Sequence, residues 1–203
     1  VASISVVTMT LGNVAALRQT DVRRLLGWSS VSQSGYALMA IVVLGVSDQA
    51  LPAMVFFLAS YAIANLAAFA VVTHLRGRTA LDDYRGLARH APIAATILIV
   101  SLLSLVGIPP LVGFFGKLML FRVTLDGGYA WLALVAAINT VVSLFYYLRI
   151  VAPMMFGSRQ SAVHVLSGQW ARSTMAVAGV LLIVGGLGAE ALSLFTESIR
   201  FAL

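Results

Sequence analysis

Apolar residues come in six runs along the chain, at about 1–17, 25–46, 52–75, 93–125, 130–155 and 173–195. Most of these runs reach the roughly 20 residues that an α-helix needs to cross a bilayer. Polar residues are concentrated in the short segments between the runs. The pattern predicts an all-α, polytopic bundle of about six transmembrane helices that forms a single membrane domain over residues 1–203. The first run is slightly short and the chain opens on Val1, so we expect a piece of a longer subunit that begins inside a membrane helix.

The fourth run differs from the others because Gly107, Pro109 and Pro110 interrupt it. It spans 33 residues, which as a straight helix would be about 50 Å long against a hydrocarbon core of about 30 Å. Proline also removes a backbone donor and clashes with the preceding turn. We therefore expect one discontinuous helix, broken near Gly107–Pro110. Unwound backbone persists in a membrane only where protein or a water-filled cavity satisfies its polar groups.

Composition supports a membrane protein and excludes several other classes. The chain is 61% hydrophobic and 10% charged, with a mean hydropathy of +0.99, whereas soluble domains are about half apolar and about a quarter charged. The absence of cysteine excludes disulfides, thiolate metal sites and iron–sulfur ligation by this chain. No nucleotide-binding, hydrolase or zinc-helix motif occurs, so we expect no catalytic centre and no bound cofactor.

The net charge of +6 arises from arginines in the segments between apolar runs, which the positive-inside rule explains better than nucleic-acid binding. When alternate loops are placed on alternate sides, one side receives nine of the thirteen basic residues and the other receives only Arg200. This asymmetry predicts cytoplasmic arginine-rich loops and a C-terminus outside. The nine are Arg18, Arg23, Arg24, Arg76, Arg78, Arg85, Arg89, Arg159 and Arg172.

Lys117 is the only lysine of the chain and follows the predicted break. About 13 Å of helix separates it from the span boundary at Asp126. One interpretation is a snorkelling lysine that reaches the headgroups. The interpretation we favour is a buried lysine that gains and loses a proton, so that its charge state couples proton movement to events elsewhere.

Other polar residues within the runs are candidates for a proton path, and for each the alternative is ordinary helix packing or anchoring. Arg24, beside Arg23, anchors the second run or lines a proton entrance. Ser30, Gln33, Ser34 and Tyr36 either join helices by hydrogen bonds or coordinate water. Asn65, with Ser60 and Tyr61, interrupts the third run, and Asn139, Ser143 and Tyr146 form a stripe predicted to face protein on the fifth.

The remaining ionisable residues carry weaker signals. We expect Arg149 to snorkel and Glu190 to lie near the outer interface, while His74, His90 and His164 lack the ligand spacing of a metal site. Within the long hydrophilic loop 76–92, a short surface helix with an Asp82–Arg85 pair is expected.

Four stretches together resemble the antiporter-like membrane subunits of respiratory complex I, and among them subunit N (subunit 2) more than its sister subunits M and L. They are Leu17–Tyr36 (LRQTDVRRLLGWSSVSQSGY), Asp83–Leu87 (DYRGL), Ser104–Lys117 (SLVGIPPLVGFFGK) and Tyr146–Arg149 (YYLR). The match extends to about Phe156. Two departures are visible: Arg23-Arg24 stands where the family often has Lys-Arg, and Gln33 stands where it often has histidine. A glutamine does not take up a proton, so a relay at position 33 needs water.

The resemblance implies a 14-helix subunit with two inverted five-helix repeats, of which this chain is roughly the C-terminal half. Lys117 then matches the lysine on the discontinuous helix of the second half-channel, a proposed proton-exit element. The partners implied are other membrane subunits and the lipid bilayer of the bacterial inner membrane. NADH and quinone are then used by the whole complex and not bound by this chain. Two alternatives stay open: a subunit of a multi-subunit monovalent cation/proton antiporter, and a non-conducting structural subunit.

Overall fold

The computed structural model describes residues 1–75, 77–157 and 169–188, and their regular secondary structure is helical. This confirms the all-α prediction. The helices are α1 (Ala2–Leu17), α2 (Val22–Val42), α3 (Ala50–His74), α4 (Leu87–His90), α5 (Pro92–Val106), α6 (Val112–Asp126), α7 (Ala130–Phe156) and α8 (Gln169–Leu187), with a 3₁₀ turn at Leu81–Tyr84 between α3 and α4.

The hydropathy pattern located these helices to within a few residues. The largest differences are at α2, which begins three residues before the predicted 25 and ends at Val42 instead of 46, and at α8, which begins at Gln169 instead of 173. The early start of α2 follows from a capping residue: Asp21 accepts a hydrogen bond from the backbone N–H of Arg24 at 3.0 Å, which satisfies a donor that the first turn leaves free. Residues 189–195 of the predicted last span lie outside the described residues.

Asp21 is held as a carboxylate by the same contacts. Partial burial favours its neutral form, but the hydrogen bonds that it accepts from Thr79 and from the backbone of Arg24 and Arg23 outweigh burial and keep the pKa of Asp21 below its ordinary value. The loops around it are joined, since the Val22 N–H donates to the Thr79 carbonyl at 2.6 Å.

The connections fall at two opposite ends of the bundle. At the arginine-rich end, the loop before α2 contacts the loop after α3, and the Gly86 N–H donates to the Pro153 carbonyl near the end of α7 at 3.0 Å. At the other end, Gly127 after α6 packs so tightly on Val43 after α2 that a Cβ would lie 2.5 Å from the Val43 Cγ1. The chain therefore runs from end to end repeatedly, as the alternating-loop prediction requires.

The loop between α3 and α5 folds onto the bundle. The expected pair is present, with Arg85 Nε 2.8 Å from Asp82 Oδ1 on an exposed surface. The expectation of one short surface helix is only partly right, because the loop forms a 3₁₀ turn and then α4, and Tyr84 and Leu87 are fully buried.

Two of the described helices, α3 and α7, are each long and apolar enough to cross a membrane on their own. The discontinuous pair α5 and α6 has 15 residues in each half, about 22 Å per half and too short to cross alone. Together they traverse the bundle between its two ends, with the break in the interior.

Candidate functional site: a buried lysine at a helix break

The break between α5 and α6 lies where the sequence predicted it. Helix α5 ends at Val106 and is followed by Gly107, whose φ of +92° is a conformation that favours glycine. The chain then passes through Pro109 and Pro110 before α6 begins at Val112. Because a helix end leaves its last four carbonyls without partners inside the helix, the break exposes acceptors in the middle of the bundle.

Two side chains from other positions occupy these acceptors. The Lys117 Nζ donates to the Val106 carbonyl at 3.0 Å, and the Gln33 Nε2 donates to the Leu105 carbonyl at 3.2 Å. The lysine amine therefore lies at the C-terminal end of α5, where the helix dipole is negative. The carbonyl at the end of α5 thus accepts a hydrogen bond from Lys117, which lies on α6, the second half of the same broken helix.

Lys117 is only 4% exposed, so the snorkelling interpretation does not describe it. Its Nζ also lies 4.5 Å from the centre of the Tyr36 ring, a geometry in which the aromatic face attracts an ammonium. The side-chain ion pairs found in the described part of the chain are Arg85–Asp82 and Arg122–Asp126, both exposed, and neither includes Lys117. A carbonyl and an aromatic face thus take the place of a carboxylate.

Glycines allow α6 to pack this closely against α5 and against α3. A Cβ on Gly113 would lie 1.9 Å from the Ser104 carbonyl oxygen, and a Cβ on Gly116 would lie 2.6 Å from the Ser60 Oγ. The Gly113 N–H donates to the Ser104 Oγ at 3.1 Å. Any larger residue at position 113 would separate the end of α5 from the start of α6.

A small cavity adjoins Lys117. Its water-accessible volume is about 10 Å³, close to the space that one water molecule requires. The walls combine hydroxyl, amide and amine groups with apolar carbon, so a water there finds polar partners. The lining residues are Gln33, Phe57, Ser60, Tyr61, Ala64, Ser104, Leu105, Gly113 and Lys117.

Beyond Tyr36, a hydrogen-bonded network joins α2 to α7. The Tyr36 hydroxyl lies 2.9 Å from the Thr140 Oγ1 and donates to the Ala136 carbonyl at 3.0 Å. Near it, the Asn13 Nδ2 donates to the Asn139 Oδ1 at 2.9 Å, and the Tyr146 hydroxyl donates to the Asn13 Oδ1 at 3.0 Å. The predicted polar stripe of α7 therefore faces protein.

Several buried polar atoms in the described helices have no partner at hydrogen-bonding geometry. They include the Tyr147 hydroxyl, the Ser32 Oγ and the Asn65 Oδ1. The Tyr147 ring is fully buried and lies 4.5 Å from the Tyr146 ring, centre to centre. Since buried polar groups are nearly always satisfied, these atoms are candidates for contact with water.

The structure brings together some of the predicted site residues and separates others. Gln33, Tyr36 and Lys117 meet at the break. Ser30 donates to the Leu26 carbonyl at 2.9 Å and also interacts with Tyr61, a cavity residue. Arg24 is exposed at the start of α2, in keeping with anchoring.

Other ionisable residues lie away from the break. Arg149 is exposed and donates to the Leu17 carbonyl at the arginine-rich end, His74 is buried at the end of α3, and His90 is exposed. Within the described ranges no group of His, Cys, Asp or Glu is arranged to hold a metal. His164 and Glu190 lie outside those ranges.

Sequence reasoning missed Tyr147, Asn13, Thr140 and Ser104. The YYLR stretch contained Tyr147, but a second tyrosine in an apolar helix gives no sign of which one lies beside Gln33. Asn13 was visible as a polar residue within the first run, and its spacing to Asn139, 126 residues away, is not encoded in any local pattern.

Comparison with known proteins agrees with this architecture. Residues 1–143 match the family described as the NADH:quinone oxidoreductase/Mrp antiporter transmembrane region. NADH-quinone oxidoreductase subunit N of Mycobacterium sp. (strain JLS) is 50% identical over 193 residues, which cover 91% of this chain and 40% of that protein. The chain thus spans about 40% of the length of this curated relative.

Solved structures give the same picture. A chain of respiratory complex I from Thermus thermophilus with bound aureothin superimposes with a TM-score of 0.83 at 32% identity, covering 95% of this chain and 44% of that one. A chain of the Mrp complex from Dietzia sp. DQ12-45-1b also has a TM-score of 0.83, at 24% identity over 98% of this chain and 46% of that one. The second likeness concerns the fold alone.

Proposed function

The chain belongs to the NADH:quinone oxidoreductase/Mrp antiporter transmembrane family, and from that premise we propose that it is part of a proton-translocating subunit of NADH:quinone oxidoreductase. In this proposal it contributes one half-channel, in which Lys117 is protonated and deprotonated. The sequence identity to subunit N proteins supports this assignment over other members of the family. The burial of Lys117 at the break is the observation that carries the proposal.

The geometry supports both charge states of Lys117. The ammonium is stabilised by the Val106 carbonyl, the Tyr36 face and the negative end of α5. The neutral amine still has N–H groups to donate to the same carbonyl. Because no carboxylate is found in an ion pair with it among the described residues, a full ion pair does not hold the amine in its charged form.

The remaining assignments follow from the same proposal. The subunit lies in the inner membrane of a bacterium beside other membrane subunits, with its arginine-rich loops in the cytoplasm and its C-terminus outside. It binds no redox cofactor itself, so NADH oxidation and quinone reduction take place elsewhere in the complex. The proton path includes Lys117, Gln33, Tyr36, Ser30 and Asn65, with Asn139, Tyr146 and Arg24 as further members.

Substitution of Lys117 tests the proposal. We expect Lys117→Ala, in the full-length subunit within its complex, to reduce NADH-driven proton pumping by at least tenfold, in line with loss of a positioned proton-transfer group. Pumping is measured as acidification of inverted membrane vesicles, normalised to the amount of assembled complex. Arg122→Ala is the matched control, since Arg122 lies on the same helix but is exposed, and it is expected to pump normally. Wild-type pumping by an assembled Lys117→Ala complex would favour the structural alternative.

A subunit of a cation/proton antiporter would belong to the same family and have the same fold. This alternative predicts sodium-linked growth at alkaline pH that depends on Lys117 and is independent of respiratory substrate. NADH-dependent pumping that depends on Lys117 distinguishes the leading proposal from it.

A further inference from the structure

The Tyr147 hydroxyl is one of the buried polar groups that the described part of the chain leaves without a hydrogen bond of good geometry. The ring is fully buried, yet its oxygen has no partner at hydrogen-bonding geometry. By contrast, the neighbouring hydroxyls of Tyr36 and Tyr146 both donate to well-placed acceptors. A buried hydroxyl without a partner destabilises a protein relative to an apolar atom at the same place. Phenylalanine would therefore serve packing better at this position.

The surroundings of this hydroxyl connect it to the Lys117 cavity. The Tyr147 phenol is close to the side chains of Ser29, Tyr146 and Gln33 and interacts electrostatically with Tyr61. Gln33 and Tyr61 both line the cavity beside Lys117. Tyr147 is therefore close both to residues of the cavity wall and to Ser29.

Ser29 extends this contact towards the arginine-rich end. It precedes Gln33 by four residues, so both lie on one face of α2, and both are buried. Only seven residues separate it from Val22, where α2 begins, which is about 10 Å of helix. The Ser29 Oγ donates to the Leu26 carbonyl at 2.8 Å, which leaves its lone pairs able to accept a proton donor.

We infer that the Tyr147 hydroxyl relays protons from the Ser29 side, which faces the arginine-rich end of the bundle, to the Lys117 cavity. This inference rests on the proposed function. A proton that enters from the arginine-rich end reaches a water beside Ser29. As this proton arrives on the phenol oxygen and forms a new O–H bond, the original O–H bond breaks and its proton passes to a water in the cavity and from there to the neutral amine of Lys117. No charge remains on the phenol.

Tyr147 suits this step better than Gln33 does. The amide of Gln33 neither gains nor loses a proton, and its Nε2 is already bonded to the Leu105 carbonyl. A hydroxyl both donates and accepts, and the oxygen of Tyr147 lies near Ser29 and Tyr146 without a hydrogen bond of good geometry. The Tyr147 hydroxyl can thus transfer a proton, which the amide of Gln33 cannot do.

The test is Tyr147→Phe in the full-length subunit within the assembled complex. We expect NADH-driven proton pumping to fall roughly tenfold, because transfer through water alone replaces a positioned relay poorly. The solvent deuterium isotope effect on pumping should rise, since proton transfer becomes slower than the other steps. The midpoint of thermal unfolding should stay the same or increase, because an unpaired hydroxyl has been removed. Tyr129→Phe, a tyrosine next to α7 at the opposite end, is the matched control and should alter none of these values.

Three outcomes would overturn the inference, and they separate it from the proposed function. Normal pumping by Tyr147→Phe, alongside lost pumping in Lys117→Ala, removes the relay and leaves the lysine mechanism standing. A clear fall in the unfolding midpoint of Tyr147→Phe would show that the hydroxyl makes a stabilising hydrogen bond. That result would contradict the inference, which requires a hydroxyl free to exchange protons. Normal pumping in Lys117→Ala removes the relay together with the proposed function.

Discussion

Lys117 and Tyr36 form the contact on which the charge of this site depends. The ammonium lies 4.5 Å from the ring centre, and the ring is held in place because its hydroxyl bonds to the Ala136 carbonyl and to Thr140. A desolvated cation–π contact contributes about 2 kcal/mol to the charged form. Since no ion pair to Lys117 is found among the described residues, that contribution is a large part of what stabilises the ammonium.

Substitutions at Tyr36 separate the ring from its hydroxyl. Tyr36→Leu removes the aromatic face, so we expect the pH profile of proton pumping to move to lower pH by about 1.5 units, because about 1.36 kcal/mol corresponds to one unit. Tyr36→Phe retains the face and should leave the position of the profile where it is. The measurement is the initial rate of vesicle acidification as a function of pH. An identical displacement in both variants would show that the hydroxyl, not the ring, acts on Lys117.

At the scale of helices, the break is maintained by the absence of side chains as much as by the prolines. Gly113 has no room for a Cβ, which would lie 1.9 Å from a backbone oxygen of α5. Backbone cannot rotate away as a flexible side chain can, so the two half-helices would have to separate. That movement would carry Lys117 away from the Val106 carbonyl.

Gly113→Ala is therefore expected to destabilise the bundle by about 3 kcal/mol or more, at or above the upper end of ordinary overpacking. The measurements are the midpoint of thermal unfolding of the purified complex and the amount of subunit that assembles. Gly45→Ala provides a control, since a Cβ at Gly45 would meet no atom within 4 Å. Equal stability of the two variants would contradict the close approach of α5 to α6.

The same helices show how much of the structure could be predicted from the sequence. Long apolar runs are a direct consequence of the solvent that a membrane provides, so α1 to α3, α7 and the position of the break were predictable from hydropathy and proline. The contacts that build the site join residues far apart in the chain, such as Gln33 with Leu105 and Tyr36 with Ala136. Local patterns carry no information about such pairs. For this reason Lys117 was predictable as a site residue, whereas Tyr147 was not.

At the scale of the whole molecule, the charged residues mark the two ends of the bundle. The loops at one end contain Arg18, Arg78 and Arg85 and are joined to each other by backbone hydrogen bonds. The other end has Asp48 in a loop and Asp126 at the end of α6. The positive-inside rule applies to short loops of this kind, so the end with the arginines is expected in the cytoplasm.

Labelling of single cysteines tests this orientation. The chain contains no cysteine, so in a full-length subunit cleared of other cysteines each introduced thiol reports one position. Arg89→Cys and Asp126→Cys place exposed thiols at opposite ends. A membrane-impermeant maleimide should label Asp126→Cys in right-side-out vesicles and Arg89→Cys only in inverted ones, because the probe does not cross lipid. Labelling of both thiols from one side would contradict the passage of α5 and α6 from one face to the other. The reverse pattern would keep that passage and invert the subunit, placing the arginines outside.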